Sequence, residues 1–159
     1  MNDYIFSLEV ELQNRYKFVK KNIIKKYNKN NNSIIFLKVI NSIINSINYL
    51  EMRGRDSLGL CIQIKIKNFN FKKNNFKKLN YYTDDQNSIF TFVYKSYNSI
   101  GILRQNSKDI LNKLLVDEYL FKLLNLDYEI ISIFSHTRWA SVGKINQANT
   151  HPIADKKFK

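Results

Sequence analysis

The chain has 159 residues, a net charge of +13 and a single cysteine. This length suits one domain with one core, and a lone cysteine excludes a disulfide framework or a cysteine-built zinc site. The N-terminus, MNDYIFSLEVEL, carries acidic residues and no basic segment, so it does not resemble a signal peptide. No apolar run approaches ~18 residues, so the sequence predicts no membrane span, no membrane partner and a cytoplasmic location.

The strong positive charge has two interpretations. Lys, Asn, Ile, Tyr and Phe share codons rich in A and T, so genome bias would raise lysine everywhere without selecting a binding face. Only five residues are arginine, although arginine is the preferred reader of phosphates and bases. We therefore expect no nucleic-acid partner, and keep a basic nucleic-acid-binding face as the alternative.

Residues 1–50 are predicted to be mainly helical. Residues 1–32 form an extension or insertion with a helix over Leu8–Tyr27, and the polar run that follows ends at Ser33, a candidate N-cap. Apolar residues then recur at spacings of four and three, with polar residues on the other face, which predicts an amphipathic helix packed on a sheet. The apolar stripe is Phe36, Ile40, Ile43, Ile47 and Leu50, and the polar face is Lys38, Asn41, Ser42, Asn45 and Asn48.

The sequence RGRDSLG, residues 53–59, ends that helix and leads into a strand over 60–66. We expect Asp56 to bond backbone amides of its own turn, in which Gly54 or Gly59 can take a positive φ. Alternating residues in LCIQIKI predict the strand. Cys61, inside it, is expected to be buried in the core and not to act as a nucleophile.

The second half is predicted to alternate between strands and helix. Residues 69–85 read as a loop or hairpin, and 88–97 as a strand. Asn106 or Ser107 is expected to cap one helix, and the apolar run Tyr128–Ser135 predicts a strand covered on both faces. The leucines expected on the buried side of the helix are Leu111, Leu114, Leu115, Leu120, Leu123 and Leu124.

The rarest residues of the chain cluster in SHTRWASVGKINQANTHPIAD, residues 135–155, directly after that strand. The fork of Arg138 can bind a carboxylate bidentately, or form a surface salt bridge. Trp139 can be a core anchor. His136 and His151 suit local hydrogen bonds better than a metal, because no cysteine or paired carboxylates lie near them in sequence.

Three short motifs resemble the type 2 glutamine amidotransferase domain of the glutamine–fructose-6-phosphate aminotransferases. They are LEMRGRDSLG at 50–59, HTRWASVG at 136–143 and NTHP at 149–152, where the family typically has LEYRGYDSAG, HTRWATHG and NAHP. The resemblance implies an α+β protein with the N-terminal nucleophile fold, in which two stacked antiparallel sheets lie between helices. Residues 33–159 would form part of that domain.

The resemblance also implies an activity and a set of site residues. The family hydrolyses glutamine and passes ammonia to fructose 6-phosphate, forming glucosamine 6-phosphate, without cofactor or metal, in an enzyme expected to be a homodimer. By match, Arg138 holds the glutamine α-carboxylate, Trp139 belongs to a loop that closes over glutamine, and Ser141 keeps the hydroxyl of the family's threonine. Arg53, His136 and His151 are expected to shape the site.

The chain departs from the family at the catalytic positions. The family uses an N-terminal cysteine, with its own α-amino group as base, and an Asn-Gly pair for the oxyanion. This chain begins Met-Asn-Asp-Tyr, and Val142 stands where the family has histidine. We therefore assign no catalytic residue and expect these residues alone to be inactive. The alternatives are part of an amidotransferase acting on another phosphosugar or nucleotide precursor, or a non-catalytic basic binding module.

Overall fold

The structure is a computed structural model that describes residues 31–67, 83–84 and 89–153, together with residues 13, 14 and 17, which are helical. The predicted helix over Leu8–Tyr27 otherwise lies outside the described residues, as does most of the predicted loop over 69–85. The helices are α1 (Asn31–Leu50), α2 (Gln105–Leu115) and α3 (Glu118–Leu124). The strands are β1 (Ser57–Ile66), β2 (Thr83–Asp84), β3 (Ile89–Ser96) and β4 (Tyr128–Arg138).

The strands form one antiparallel sheet within the described part of the chain, in the order β2-β3-β1-β4. β1 lies in the middle and pairs with β3 on one side and with β4 on the other. The pairing of β2 with β3 involves only two residues of each strand. The mixture of helices with an antiparallel sheet agrees with the expected α+β class at this coarse level.

The core lies between one face of the sheet and the three helices. Alternate residues of β1 point into it, as the period of two in the sequence predicts. Phe36 of α1 meets Phe121 of α3 edge to face, with ring centroids 6.5 Å apart. The other fully buried residues of this core include Leu37, Ile40, Ile47, Leu60, Ile62, Ile64, Phe90, Ile110, Leu114, Leu120 and Leu124.

The predicted stripe on α1 is only partly right. Phe36, Ile40 and Ile47 are fully buried, but Leu50 is 50% exposed and Asn41 is buried. Leu37 and Ile44, outside the predicted stripe, are buried as well, so the buried face is broader than a single row of apolar residues. Ser33 lies inside the helix, which begins at Asn31, and is therefore not its N-cap.

The same helix passes a length and hydropathy test for a membrane span. Its 18 residues from Ser33 to Leu50 have a mean hydropathy of 1.3, although asparagine and serine interrupt the apolar run. The sequence predicted no membrane span, whereas this helix is a candidate by length and composition only. In the structure α1 is the core helix against the sheet.

The predicted single helix after residue 105 is two helices. The side chain of Asp117 accepts from the backbone N–H groups of Tyr119 and Leu120, which makes it the N-cap of α3 and separates α3 from α2. The residue preceding α2 is Arg104, with φ 62°, and not Asn106 or Ser107 as predicted. Both of these are buried in the first turn, and their side chains bond other segments, so they are not free to cap it.

The prediction that β4 is covered on both faces is wrong for the described residues. β4 is an edge strand of the described sheet, and Ile131 and Phe134 on it are 47% and 48% exposed. The continuous apolar run suggested a strand covered on both faces, but no residue of β4 is fully buried.

Candidate functional site

The RGRDS turn and the HTRWA segment meet where β1 and β4 stop pairing. The last antiparallel pair is Ser57 with Arg138, so the residue before β1 lies beside the residues after β4. The Asp56 N–H donates to the Arg138 carbonyl oxygen at 3.0 Å, and the Asp56 carboxylate accepts from the Ala140 N–H at 2.8 Å. We call this contact between residues 53–56 and 138–140 the motif junction. It joins segments whose bonded residues are 84 positions apart.

Close backbone approach is the second feature of the motif junction. A Cβ added to Gly54 would lie 3.0 Å from the carbonyl carbon of Arg138 and 3.1 Å from the nitrogen of Trp139. A residue with a side chain would push the turn away from the strand end. Among the described glycines, positive φ belongs to Gly101 and Gly143, so neither Gly54 nor Gly59 uses this conformation. Gly54 is needed here for space and not for backbone conformation.

The prediction for Asp56 is also wrong. Its carboxylate was expected to brace its own turn, but the hydrogen bond runs to Ala140 in the loop after β4. The antiparallel register brings an N–H of that loop within reach of Asp56, which no local pattern reveals. Asp56 therefore fixes the start of this loop relative to the strand.

Arg138 organises the rest of that loop. Its Nη1 donates to the Asn149 carbonyl oxygen at 2.8 Å and its Nη2 to the Val142 carbonyl oxygen at 2.9 Å. The chain from residue 142 to residue 149 is thereby folded back over the end of β4. A guanidinium has five N–H donors, and these bonds use only two of them.

Trp139 and Ser141 lie on the surface beside this arginine. The Trp139 side chain is 67% exposed, so the core-anchor interpretation is wrong. Ser141 and Val142 follow it in the same exposed stretch. The segment after Arg138 therefore presents an aromatic ring, a hydroxyl and an apolar side chain to solvent.

His136 and His151 come together at Gly59. His136 is the register partner of Gly59, and a Cβ on Gly59 would lie 1.6 Å from the His151 carbonyl oxygen. The two imidazole rings are 4.8 Å apart between centroids. Partial burial of the ring, His151 and Arg138 lower the pKa of His136 from its ordinary value of 6.5.

The loop closes through polar contacts that the sequence reasoning missed. The Asn146 side chain accepts from the Asn149 N–H at 2.9 Å, and the Asn146 carbonyl accepts from the Thr150 hydroxyl at 2.7 Å. The Lys95 ammonium, from β3, donates to the Gln147 carbonyl at 3.1 Å. Asn146, three residues before Asn149, is the sequence signal for these contacts, because asparagine side chains commonly bond the backbone of their own loop.

Arg53 lies on the surface, whereas Cys61 is buried. Arg53 is exposed, and only its turn, through Gly54, touches the strand end that carries Arg138. Cys61 is 3% exposed, and burial raises the pKa of its thiol to about 11. The prediction that Cys61 is buried within its strand is confirmed. No group of three or more His, Cys, Asp and Glu side chains converges within the described ranges.

No protein-family model, no curated protein and no solved structure matches this chain. The motifs and the contacts that bring them together are therefore the observations that bear on function.

Proposed function

We propose that this chain is part of a type 2 glutamine amidotransferase and that the motif junction binds the α-carboxylate of glutamine through Arg138. One observation supports the proposal above the others. The two arginine motifs that resemble the same family are held together by the bonds of Asp56 to Arg138 and Ala140, although they are 84 positions apart along the chain. A chance likeness of two short sequences does not require that they meet.

The environment of Arg138 suits an anionic ligand. The guanidinium donates to two carbonyl groups, and since a guanidinium has five N–H donors these bonds leave donors for a carboxylate. His136 is two residues away along β4, and the Lys95 ammonium reaches the same loop. The carboxylate at the junction, that of Asp56, is already bonded to Ala140.

In this proposal Trp139 and Ser141 cover a ligand bound to Arg138. Both belong to the loop that Arg138 anchors at residues 142 and 149. Because the same guanidinium would hold the loop and the ligand, binding of a carboxylate would be coupled to the position of Trp139. This supports the proposed role of the tryptophan as a covering residue.

Catalysis in this proposal requires a nucleophile other than Cys61. The buried thiol, with its pKa of about 11, is protonated at neutral pH and lies inside a strand. The proposed contribution of these residues is to bind glutamine. The proposed enzyme transfers the released ammonia to fructose 6-phosphate.

The test is a fluorescence titration, because Trp139 is the single tryptophan of the sequence. We expect L-glutamine to change its emission saturably, and L-glutaminamide, which lacks the α-carboxylate, to leave it unchanged. Arg138→Lys should weaken glutamine binding by ~10-fold or more, since lysine cannot form the fork. Arg55→Lys, a matched change at an exposed arginine of the RGRDS turn, should not.

An equal response to glutamine and glutaminamide would overturn the proposal. So would unchanged glutamine binding in Arg138→Lys, or no response to glutamine at all.

A further inference from the structure

A cluster of exposed apolar side chains lies at the C-terminal end of α1. We call it the end patch. Three of its residues belong to the end of α1 and its turn, and three to the loop before α2. Their exposed fractions are 81% for Tyr49, 50% for Leu50, 70% for Met52, 57% for Ile100, 59% for Ile102 and 44% for Leu103.

Hydrogen bonds hold the two halves of the end patch together. The Arg104 N–H donates to the Glu51 carboxylate at 2.5 Å, and the Ser107 hydroxyl donates to the Asn48 side chain at 2.7 Å. Asn106 is buried, and its amide nitrogen donates to the carbonyls of Arg55 and Ser99 at 3.0 and 3.1 Å. The exposed apolar groups therefore stand on a fixed frame, which lowers the entropy cost of binding a partner.

The exposed charged residues next to the end patch along the chain are basic. Arg53, Arg55, Arg104 and Lys108 are all exposed, whereas the Glu51 carboxylate is buried and bonded to Arg104. Only five of the 26 basic residues of the chain are arginines, and three of those five lie here. Since composition alone supplies lysine along the whole chain, the arginines are the more informative residues.

We propose that the end patch docks an acidic, amphipathic protein segment, with apolar side chains on the patch and carboxylates on the surrounding arginines. Contiguous exposed apolar surface bordered by polar groups is typical of protein interaction sites. Arginine forks match carboxylates bidentately, whereas lysine serves as well at an anionic lipid surface, so the arginines favour a protein partner. This proposal does not depend on glutamine binding.

The test is a selection of random peptides, displayed on phage, on the full chain. We expect the enriched peptides to combine apolar residues with Asp or Glu. Their affinity should fall on raising the salt concentration, because the arginines around the patch are exposed. Enriched peptides that lack acidic residues, or no enrichment at all, would overturn the proposal.

Variants then locate the binding surface. Ile102→Ser combined with Leu103→Ser should weaken an enriched peptide ~10-fold or more, by loss of apolar burial. Arg55→Gln combined with Arg104→Gln should weaken it ~3-fold or more. Lys122→Gln, on α3, should leave binding unchanged, and thermal melts check that each variant is folded.

Two further outcomes would count against a protein partner at this surface. One is peptide binding that the end-patch variants leave intact. The other is flotation of the chain with phosphatidylserine vesicles that these variants abolish while peptide binding persists, since the patch would then serve a membrane.

Discussion

The inner face of the sheet and the motif junction are built in different ways. The inner face is filled by many apolar side chains from α1, β1, β3, α2 and α3, and each contributes a share of the buried area. The motif junction depends on single groups: the carboxylate of Asp56, the missing side chain of Gly54 and the guanidinium of Arg138. Burial at the inner face follows from a repeating pattern, whereas the junction requires particular residues at particular positions.

This difference predicts how each region responds to substitution. A change in the core should alter global stability, because the core is shared by all the elements that pack on it. A change at the junction should act mainly on the loop that follows β4 and on ligand binding.

The largest expected effect is from Phe36→Ala. Phe36 is fully buried against Phe121, so removing its ring should lower the free energy of unfolding by ~3–5 kcal/mol. Ile35→Ala is the control, since Ile35 is 55% exposed on the same helix and should cost less than ~1 kcal/mol. Urea unfolding followed by circular dichroism measures both. Equal destabilisation by the two changes would contradict the packing described for α1.

Asp56→Ala tests the junction itself. Loss of the charged acceptor of the Ala140 N–H should lower the free energy of unfolding by ~1.5–3 kcal/mol and speed exchange of the Ala140 amide hydrogen. Asp56→Asn, which keeps an oxygen acceptor, should show smaller effects. Hydrogen exchange by NMR distinguishes the outcomes. An Ala140 amide as protected in Asp56→Ala as in the native chain would show that Asp56 does not hold the loop.

Gly59→Ala should detach the end of the loop from the sheet. The new Cβ would overlap the His151 carbonyl oxygen, so residues 151 and 152 must move, at ~1–3 kcal/mol. The imidazole contact between His136 and His151 should disappear with this movement. Loss of the ring–ring NOE is the measurement. An NOE that persists in the variant would mean that the loop does not depend on the open space at Gly59.

The smallest effect concerns pH. The folded state lowers the pKa of His136 below 6.5. Between that folded-state pKa and pH 6.5, the unfolded chain therefore binds more protons than the folded chain. Stability should therefore decline as the pH falls through 6.5 towards the folded-state pKa, and be retained above 6.5. The contribution is modest because the ring is exposed and solvent screens it. His136→Gln should flatten this part of the profile of melting temperature against pH, and an unchanged slope would assign the dependence to other groups.

The sequence predicted the elements whose residues repeat with a clear period. β1 and β3 lie where alternation placed them, and α1 buries Phe36, Ile40 and Ile47 as its spacing indicated. The break between α2 and α3 was missed because the leucines continue across it, and Asp117 acts as a cap only through its particular backbone conformation.

The contacts of the candidate site were less predictable. Motif order and the position of HTRWA near a strand end could be read from the sequence, although β4 runs to Arg138, three residues beyond its predicted end at Ser135. The partner of Asp56 could not, because it depends on the register of β1 with β4 over 84 positions. The bonds from Arg138 to two loop carbonyls depend on how residues 142–149 fold back, for which the sequence offers only its turn-forming residues.

The most direct test of the central claim observes the Arg138 guanidinium itself. With five arginines in the chain, the arginine Nε–H region of a ¹⁵N-labelled sample is sparse, and Arg138→Lys identifies the signal of Arg138 by its loss. We expect L-glutamine to shift this signal while that of Arg104 stays in place, and L-glutaminamide to shift neither of them. An unmoved Arg138 signal at glutamine concentrations that saturate the Trp139 response would contradict carboxylate binding at the motif junction.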